Sequence, residues 1–151
     1  MKEKNFQTDF GNWIKNHLDR FPDSCAFELK IWRCDKNKSF PIKEVKTHQV
    51  EGLVAASGDG LYHKISDSPI FKGMKSRFTA KKPFDCLLLK NAKSFVVIWP
   101  YFKGQTKRQR ACYPISLNNW LKLVLECSKL GKKSFGIALL NKYCIPLNIW
   151  E

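Results

Sequence analysis

The spacing of apolar residues along the chain switches between a helical and a strand-like period. Phe6, Phe10, Trp13, Ile14, His17 and Leu18 recur every three or four positions, which predicts an amphipathic helix over residues 5–20. Its stop signal is "FPD", because Pro22 cannot continue a helix. In "AFELKIW", residues 26–32, the period drops to two. Phe27, Leu29 and Ile31 then share one face of a strand and Glu28, Lys30 and Trp32 the other. A polar turn, "RCDKNKS", ends that strand.

"FPIKEVKTHQVEGLVAASGDG" returns to helical spacing. Pro41 suits the first turn, Ile42, Val45, Gln49 and Leu53 share a face, and Gly58 suits the C-terminal cap. "LYHKIS" reads as a strand, followed by a polar, basic loop, "DSPIFKGMKSRFTAKKP". "FDCLLLK" and "SFVVIWPYF" are the clearest strands, joined by the tight polar turn "KNAK". Ser116 suits the cap of a helix over residues 117–130, with Leu117, Trp120, Leu121, Val124 and Leu125 as its apolar stripe. "SFGIALL" and "IPLNIW" fit either period. The order predicts a mixed α/β (α+β) fold, a central mixed β-sheet flanked by helices.

Length and composition narrow the class. With 151 residues and 44% hydrophobic content, residues 1–151 read as one domain with a sizeable core. No apolar run is long enough to span a bilayer, so no membrane partner is expected. The first residues interleave apolar with polar and acidic positions, unlike a secretory signal. Six scattered cysteines without a C-x-x-C pair then read as reduced thiols in a cytoplasmic or nuclear (host-cell interior) setting. His17, His48 and His63 do not stand at zinc-finger spacing from any cysteine pair.

Charge changes the picture more. Lys and Arg number 27 against 13 acids, a formal net charge of +14. Such a surplus favours a polyanionic partner, nucleic acid being the commonest.

The chemistry is concentrated in Glu28-x-Lys30. Phosphodiester hydrolysis uses a divalent cation to offset phosphate charge and to lower the pKa of an attacking water. Magnesium takes oxygen ligands and keeps several waters, so two carboxylates and a carbonyl suffice. A neighbouring lysine orients the water or contacts the phosphate. An acid and a lysine one residue apart on a strand supply both functions side by side. In many strands the same triplet is an ordinary ion pair, but here it interrupts an apolar run, where an unpaired charge is costly.

With "AFELKIW", the polar turn, "SFPIKEVKTHQVEGL", "KPFDCLLL" and "SFVVIW", the chain resembles the PD-(D/E)xK nuclease superfamily, in particular its Holliday-junction-resolvase branch. There a Glu-x-Lys strand is followed by a polar turn, a Phe-Pro entry and a helix bearing His-Gln. The resemblance is firmest over residues 26–53 and extends more loosely to residue 99. It implies a restriction-endonuclease-like fold and a Mg2+- or Mn2+-dependent endodeoxyribonuclease. Glu28 would be a metal ligand, Lys30 the catalytic lysine, and Gln49 would support them from the next helix. It further implies branched or double-stranded DNA as substrate and a homodimer that makes paired cuts.

The second carboxylate departs from the family order, in which an aspartate precedes Glu-x-Lys by one strand. Asp23 stands only five residues before Glu28, about 16 Å along one extended chain, too far to share an ion. Asp85, in "KPFDCLLL", is preferred as second ligand, in permuted order and from a neighbouring strand of the sheet. Each residue also has a plainer role: Asp85 as a turn cap or a partner of Lys81 or Lys82, Gln49 bonded to backbone, His48 simply on the surface. Trp13, Trp120, Phe10 and Trp32 are expected in the core.

Basic clusters bracket the triplet. They are Lys36 and Lys38 after its strand, Lys72, Lys75, Arg77, Lys81 and Lys82 before Asp85, and Lys103, Lys107, Arg108 and Arg110 after "VVIW". With His48, these suit phosphate contacts that position a substrate without reading bases. A second class stays open: a non-catalytic basic nucleic-acid-binding protein on a degenerate nuclease fold.

Overall fold

The computed structural model describes residues 3–20, 23–64 and 85–150. They form α1 (Glu3–Lys15), β1 (Cys25–Arg33), β2 (Phe40–Pro41), α2 (Thr47–Ser57), β3 (Leu61–Lys64) and β4 (Cys86–Leu89). Then come β5 (Lys93–Tyr101), β6 (Tyr113–Ser116), α3 (Leu117–Lys129), β7 (Ser134–Phe135) and α4 (Ile137–Tyr143). The class is the expected mixed one, four helices around a central mixed sheet among the described residues.

β5 is the middle strand of that sheet, ordered β1-β5-β6. β1 lies parallel to it, from Cys25 opposite Lys93 to Arg33 opposite Tyr101, and β6 is antiparallel. Parallel neighbours need a crossover, and α2 lies within it. Strand pleating sends alternate residues of β5 to opposite faces. Val96 and Ile98 face a core with α2 and α3, built on Leu53, Trp120 and Leu123. Val97 and Trp99 face α1 and the C-terminal segment, through Phe6, Phe10, Trp13 and Ile149. Every one of these β5 residues is fully buried, as expected of a strand covered on both sides.

α1 is shorter than its apolar pattern suggests. It ends at Lys15, and a 3-10 turn over Leu18–Arg20 follows, so Pro22 is not what stops it. His17 folds back through Nδ1 onto the Trp13 carbonyl at 2.8 Å and stacks on the Trp13 ring. Leu18, expected on the buried stripe, is 62% exposed.

Pro41 does not open a helix. Phe40 and Pro41 pair antiparallel with Phe135 and Ser134, and a 3-10 turn precedes α2. Gly58 does occupy the C-cap of α2. The "KNAK" turn carries the chain from one sheet to another, because β4 pairs with β3 and not with β5. Asn91 there is left-handed at φ 54°, a conformation asparagine tolerates better than most residues.

In α3 the Ser116 hydroxyl caps the helix, accepting from the Asn119 N–H at 3.4 Å. The buried stripe is Leu117, Trp120, Leu123 and Cys127. Leu121 and Leu125, expected on it, are 44% and 55% exposed. The ambiguous segments resolve as β7 with α4, and as a bridge between Cys112 and Leu147 that seats Trp150 against Phe6 and Trp99.

α3 ends in a turn about Gly131, whose φ is +65°. There the Lys132 N–H bonds the Cys127 carbonyl at 2.8 Å, and the Gly131 N–H bonds that of Ser128 at 3.0 Å. A Cβ on Gly131 would meet nothing within 4 Å, so a side chain is penalised only through its backbone. Gly131→Ala is expected to lower stability by about 1 kcal/mol in urea unfolding.

All six cysteines are free thiols. Burial pushes Cys112 up to about 12, and Cys34 and Cys144 up to about 11. A thiol whose pKa is raised on folding keeps its proton where the unfolded chain has lost it. Its contribution is therefore intact below the ordinary pKa of 9.0 and lost as pH rises towards 12. Cys112→Ala should lower the melting temperature at neutral pH but flatten its decline between pH 9 and 12, as followed by thermal melts.

Candidate active site

Glu28 and Lys30 stand mid-strand on β1, opposite Val96 and Ile98. Their face is the one that also carries Ala26, Trp32 and Cys34 against the core beneath α2 and α3. Phe27, Leu29 and Ile31 face the α1 core, so both sides of β1 are packed and the alternation read from the sequence is correct. Lys30 Nζ lies 2.9 Å from Glu28 Oε1, with side chains 15% and 21% exposed. The pair is half-buried on a sheet edge, backed by two fully buried aliphatic residues. Trp32, next on this face, belongs to the core, and its Nε1–H donates to the Asn37 carbonyl at 2.8 Å.

Gln49 approaches from α2. The Ser94 hydroxyl donates to the Leu53 carbonyl at 2.8 Å, and Ser94 lies opposite Ala26. This fixes the C-terminal half of α2 over the start of β1. Gln49, four residues before Leu53, is one turn or about 6 Å further along, roughly level with Glu28. Its Oε1 accepts the Lys46 N–H at 2.9 Å and caps the helix. The plainer role of this amide, a bond to backbone, is therefore present. Its amino group makes no hydrogen bond among the described residues and remains a donor.

The two aspartates lie elsewhere. Asp23 pairs with Lys93 at 2.7 Å, where the chain enters β1. By accepting a hydrogen bond from the Lys93 ammonium, this carboxylate holds that group above its ordinary pKa. Asp85 is an exposed residue at the head of β4. Because β4 belongs to a separate two-stranded sheet with β3, Asp85 is not delivered from a neighbouring strand of the β1 sheet, and that expectation is corrected. The β3–β4 pair is rooted by Gly60 N–H to the Ala55 carbonyl and Ala92 N–H to that of Ala56. Asp85 stands at its opposite end, close enough to Tyr62 to help Cys86, the main cause, raise the phenol's pKa.

A hard cation finds one ligand here. Glu28 commits only Oε1, to Lys30, which leaves Oε2 open. Among the described residues no three His, Cys, Asp or Glu side chains gather into a metal-binding group. A two-carboxylate site would need Asp85 from the hairpin as the partner of Glu28.

The predicted phosphate-contacting residues separate into three sets. Lys36 and Lys38 are exposed after β1, Lys107 and Arg108 are exposed after β5, and His48 is exposed in the first turn of α2. β1 and β5 are parallel and α2 runs back along them, so these five lie at the end of the sheet where both strands finish. Arg110 is different: its guanidinium packs on the rings of Trp99 and Trp150, at 6.0 and 5.8 Å from their centroids. It packs against the α1-side core, apart from the other five. Lys81 and Lys82, with Lys72, Lys75 and Arg77, lie outside the described residues. Asp35 pairs with Arg33 at 3.5 Å.

Sequence reasoning missed Lys43, Lys132 and Lys133. They line a groove together with Lys36 and Lys38, and their separation along the chain gave no signal.

Comparison with protein-family models, with curated proteins and with solved structures yields no match. Among the described residues no helix is long and apolar enough to cross a membrane.

The Glu28–Lys30 pair makes a stability test possible. Removing one partner leaves a half-buried charge, so Glu28→Ala or Lys30→Ala should cost about 1–2 kcal/mol. Replacing both together, Glu28→Leu with Lys30→Met, should restore most of that loss in chemical denaturation, because an apolar pair of similar volume is usually tolerated.

Proposed function

We propose that this protein is a metal-dependent endodeoxyribonuclease that hydrolyses phosphodiester bonds on a restriction-endonuclease-like fold. The observation that carries the proposal is the half-buried Glu28–Lys30 ion pair, set in a strand with both faces packed. Folding alone does not call for a pair in that setting, since buried ion pairs are commonly replaceable by apolar residues without loss. Its position in the middle of an apolar strand fits a chemical role.

In this reading Glu28 Oε2 would hold the cation, with substrate phosphate oxygens and waters completing its shell. Magnesium or manganese, when bound, offsets phosphate charge and lowers the pKa of a water. Lys30, held in place by Glu28 Oε1, donates to the water or the phosphate oxygen. The Gln49 amino group supports the same oxygens from α2. Lys36, Lys38, His48, Lys107 and Arg108 grip the flanking backbone. Resemblance supports branched DNA, such as a four-way junction, as the substrate, and a homodimer as the cutting unit.

The test is cleavage of plasmid and four-way-junction DNA with and without magnesium or manganese. Wild type should cut only with metal. Glu28→Gln and Lys30→Ala should each lose on the order of a hundredfold or more, while Asp23→Asn keeps its rate. Undiminished cutting by Glu28→Gln would refute the assignment. DNA binding without cutting, under every metal tried, would establish the non-catalytic nucleic-acid-binding alternative that the +14 charge also supports.

A further inference from the structure

A groove of about 940 Å³ opens between the loop that follows β1 and the turn that joins α3 to β7. Five lysines line it, from three separate stretches of chain: Lys36 and Lys38, Lys43, and Lys132 and Lys133. No carboxylate lines it. All five side chains are exposed, and none is ion-paired among the described residues. Pro41, Ile42, Val45 and Val124 add apolar side chains to the same lining.

The walls are fixed to one another. Ser39 Oγ donates to Ser134 Oγ at 3.0 Å, and the Ile42 N–H donates to the Lys133 carbonyl at 3.1 Å. Phe40 and Pro41 pair with Phe135 and Ser134 beneath them. The left-handed Gly131 turn sets Lys132 and Lys133 on the far wall. The lysine heads are flexible, but their stems rise from two walls bonded together.

Five like charges around one groove raise its positive potential and draw anions to it. A single phosphate needs far fewer than five ammonium groups. Apolar side chains in the same lining suit the sugar and base faces of a polymer better than a hydrated inorganic ion. Lysine is a point-charge contact that does not read base edges.

We infer that this groove binds the sugar–phosphate backbone of a nucleic-acid strand, independently of sequence and of metal. The site extends the nuclease reading by adding a surface that none of its catalytic residues supplies. The Val45 and Val124 walls belong to the same core as the Glu28 face, so a strand held here runs on the side of the sheet that carries the ion pair.

Binding of labelled single-stranded and duplex oligonucleotides, measured by fluorescence anisotropy in EDTA over a salt series, tests the inference. Lys43→Ala, Lys132→Ala and Lys133→Ala combined should weaken binding at least about tenfold and reduce the salt slope by about two to three for both probes. The corresponding triple arginine variant should bind like wild type. Circular dichroism of the alanine variant should match wild type, because all three side chains are exposed. Unchanged affinity and slope in the alanine variant would overturn the inference. So would displacement of either probe by inorganic phosphate at concentrations too low to act as salt, which would mark a small-anion site. If the alanine variant loses binding while wild type fails to cut DNA under any metal, the groove stands and the hydrolytic reading falls. If wild type cuts but the variant binds normally, the reverse holds.

Discussion

The parallel ladder between β1 and β5 is the constraint on which the rest of the structure depends. It fixes which side of each strand meets which core: Val96 and Ile98 with Glu28 and Lys30 on one side, Val97 and Trp99 with Leu29 and Ile31 on the other. A slip of one residue would turn the acid and the lysine into the aromatic cluster formed by Phe6, Phe10 and Trp13. The fully buried β5 residues oppose that slip, because each would exchange one packed environment for another of different shape.

Because the register is rigid, the charges it carries have little freedom. Lys30 has a partner at 2.9 Å and aliphatic side chains behind it, and α2 lies over the same face with Gln49 roughly abreast. Lys36, Lys38, His48, Lys107 and Arg108 lie where β1 and β5 finish, as ligand-contacting loops of open α/β sheets usually do. The arrangement separates two tasks: a narrow, half-buried acid–base pair on the sheet, and diffuse positive charge on the loops around it.

Much of this was legible from periodicity. The two faces of β1, the strand character of β5, the core positions of Trp13, Trp32 and Trp120 and the Ser116 cap all follow from local rules that the tertiary structure obeys. The failures have a common cause, a local signal outvoted by distant chain. Pro41 has good chemistry for a helix start, but Phe135 and Ser134 recruit it into a strand pair. In α3, leucines at 117, 121, 123 and 125 allow two stripes, and packing on the sheet selects the one through Leu123 and Cys127. Asp85 looked like a residue of the central sheet because "CLLL" is as apolar as "VVIW". Only the pairing of β4 with β3 separates them. The lysine groove had no signal at all, since a lone lysine in sequence looks the same whether or not others converge on it.

The same ladder also shapes how the chain must assemble. Each β1 residue meets a partner 68 positions later, as 93 − 25 shows for Cys25 and Lys93, whereas Phe95 finds Ser116 only 21 positions on. Closing the longer loop is dearer in chain entropy by about 1 kcal/mol before any contact repays it. β5 and β6 are thus favoured to join first and β1 to dock afterwards. Until it does, the backbone of "SFVVIW" presents an open, apolar β-edge to other molecules. Late arrival of β1 therefore exposes the nascent chain to self-association, and the strand that carries Glu28 and Lys30 is also the one that closes that edge.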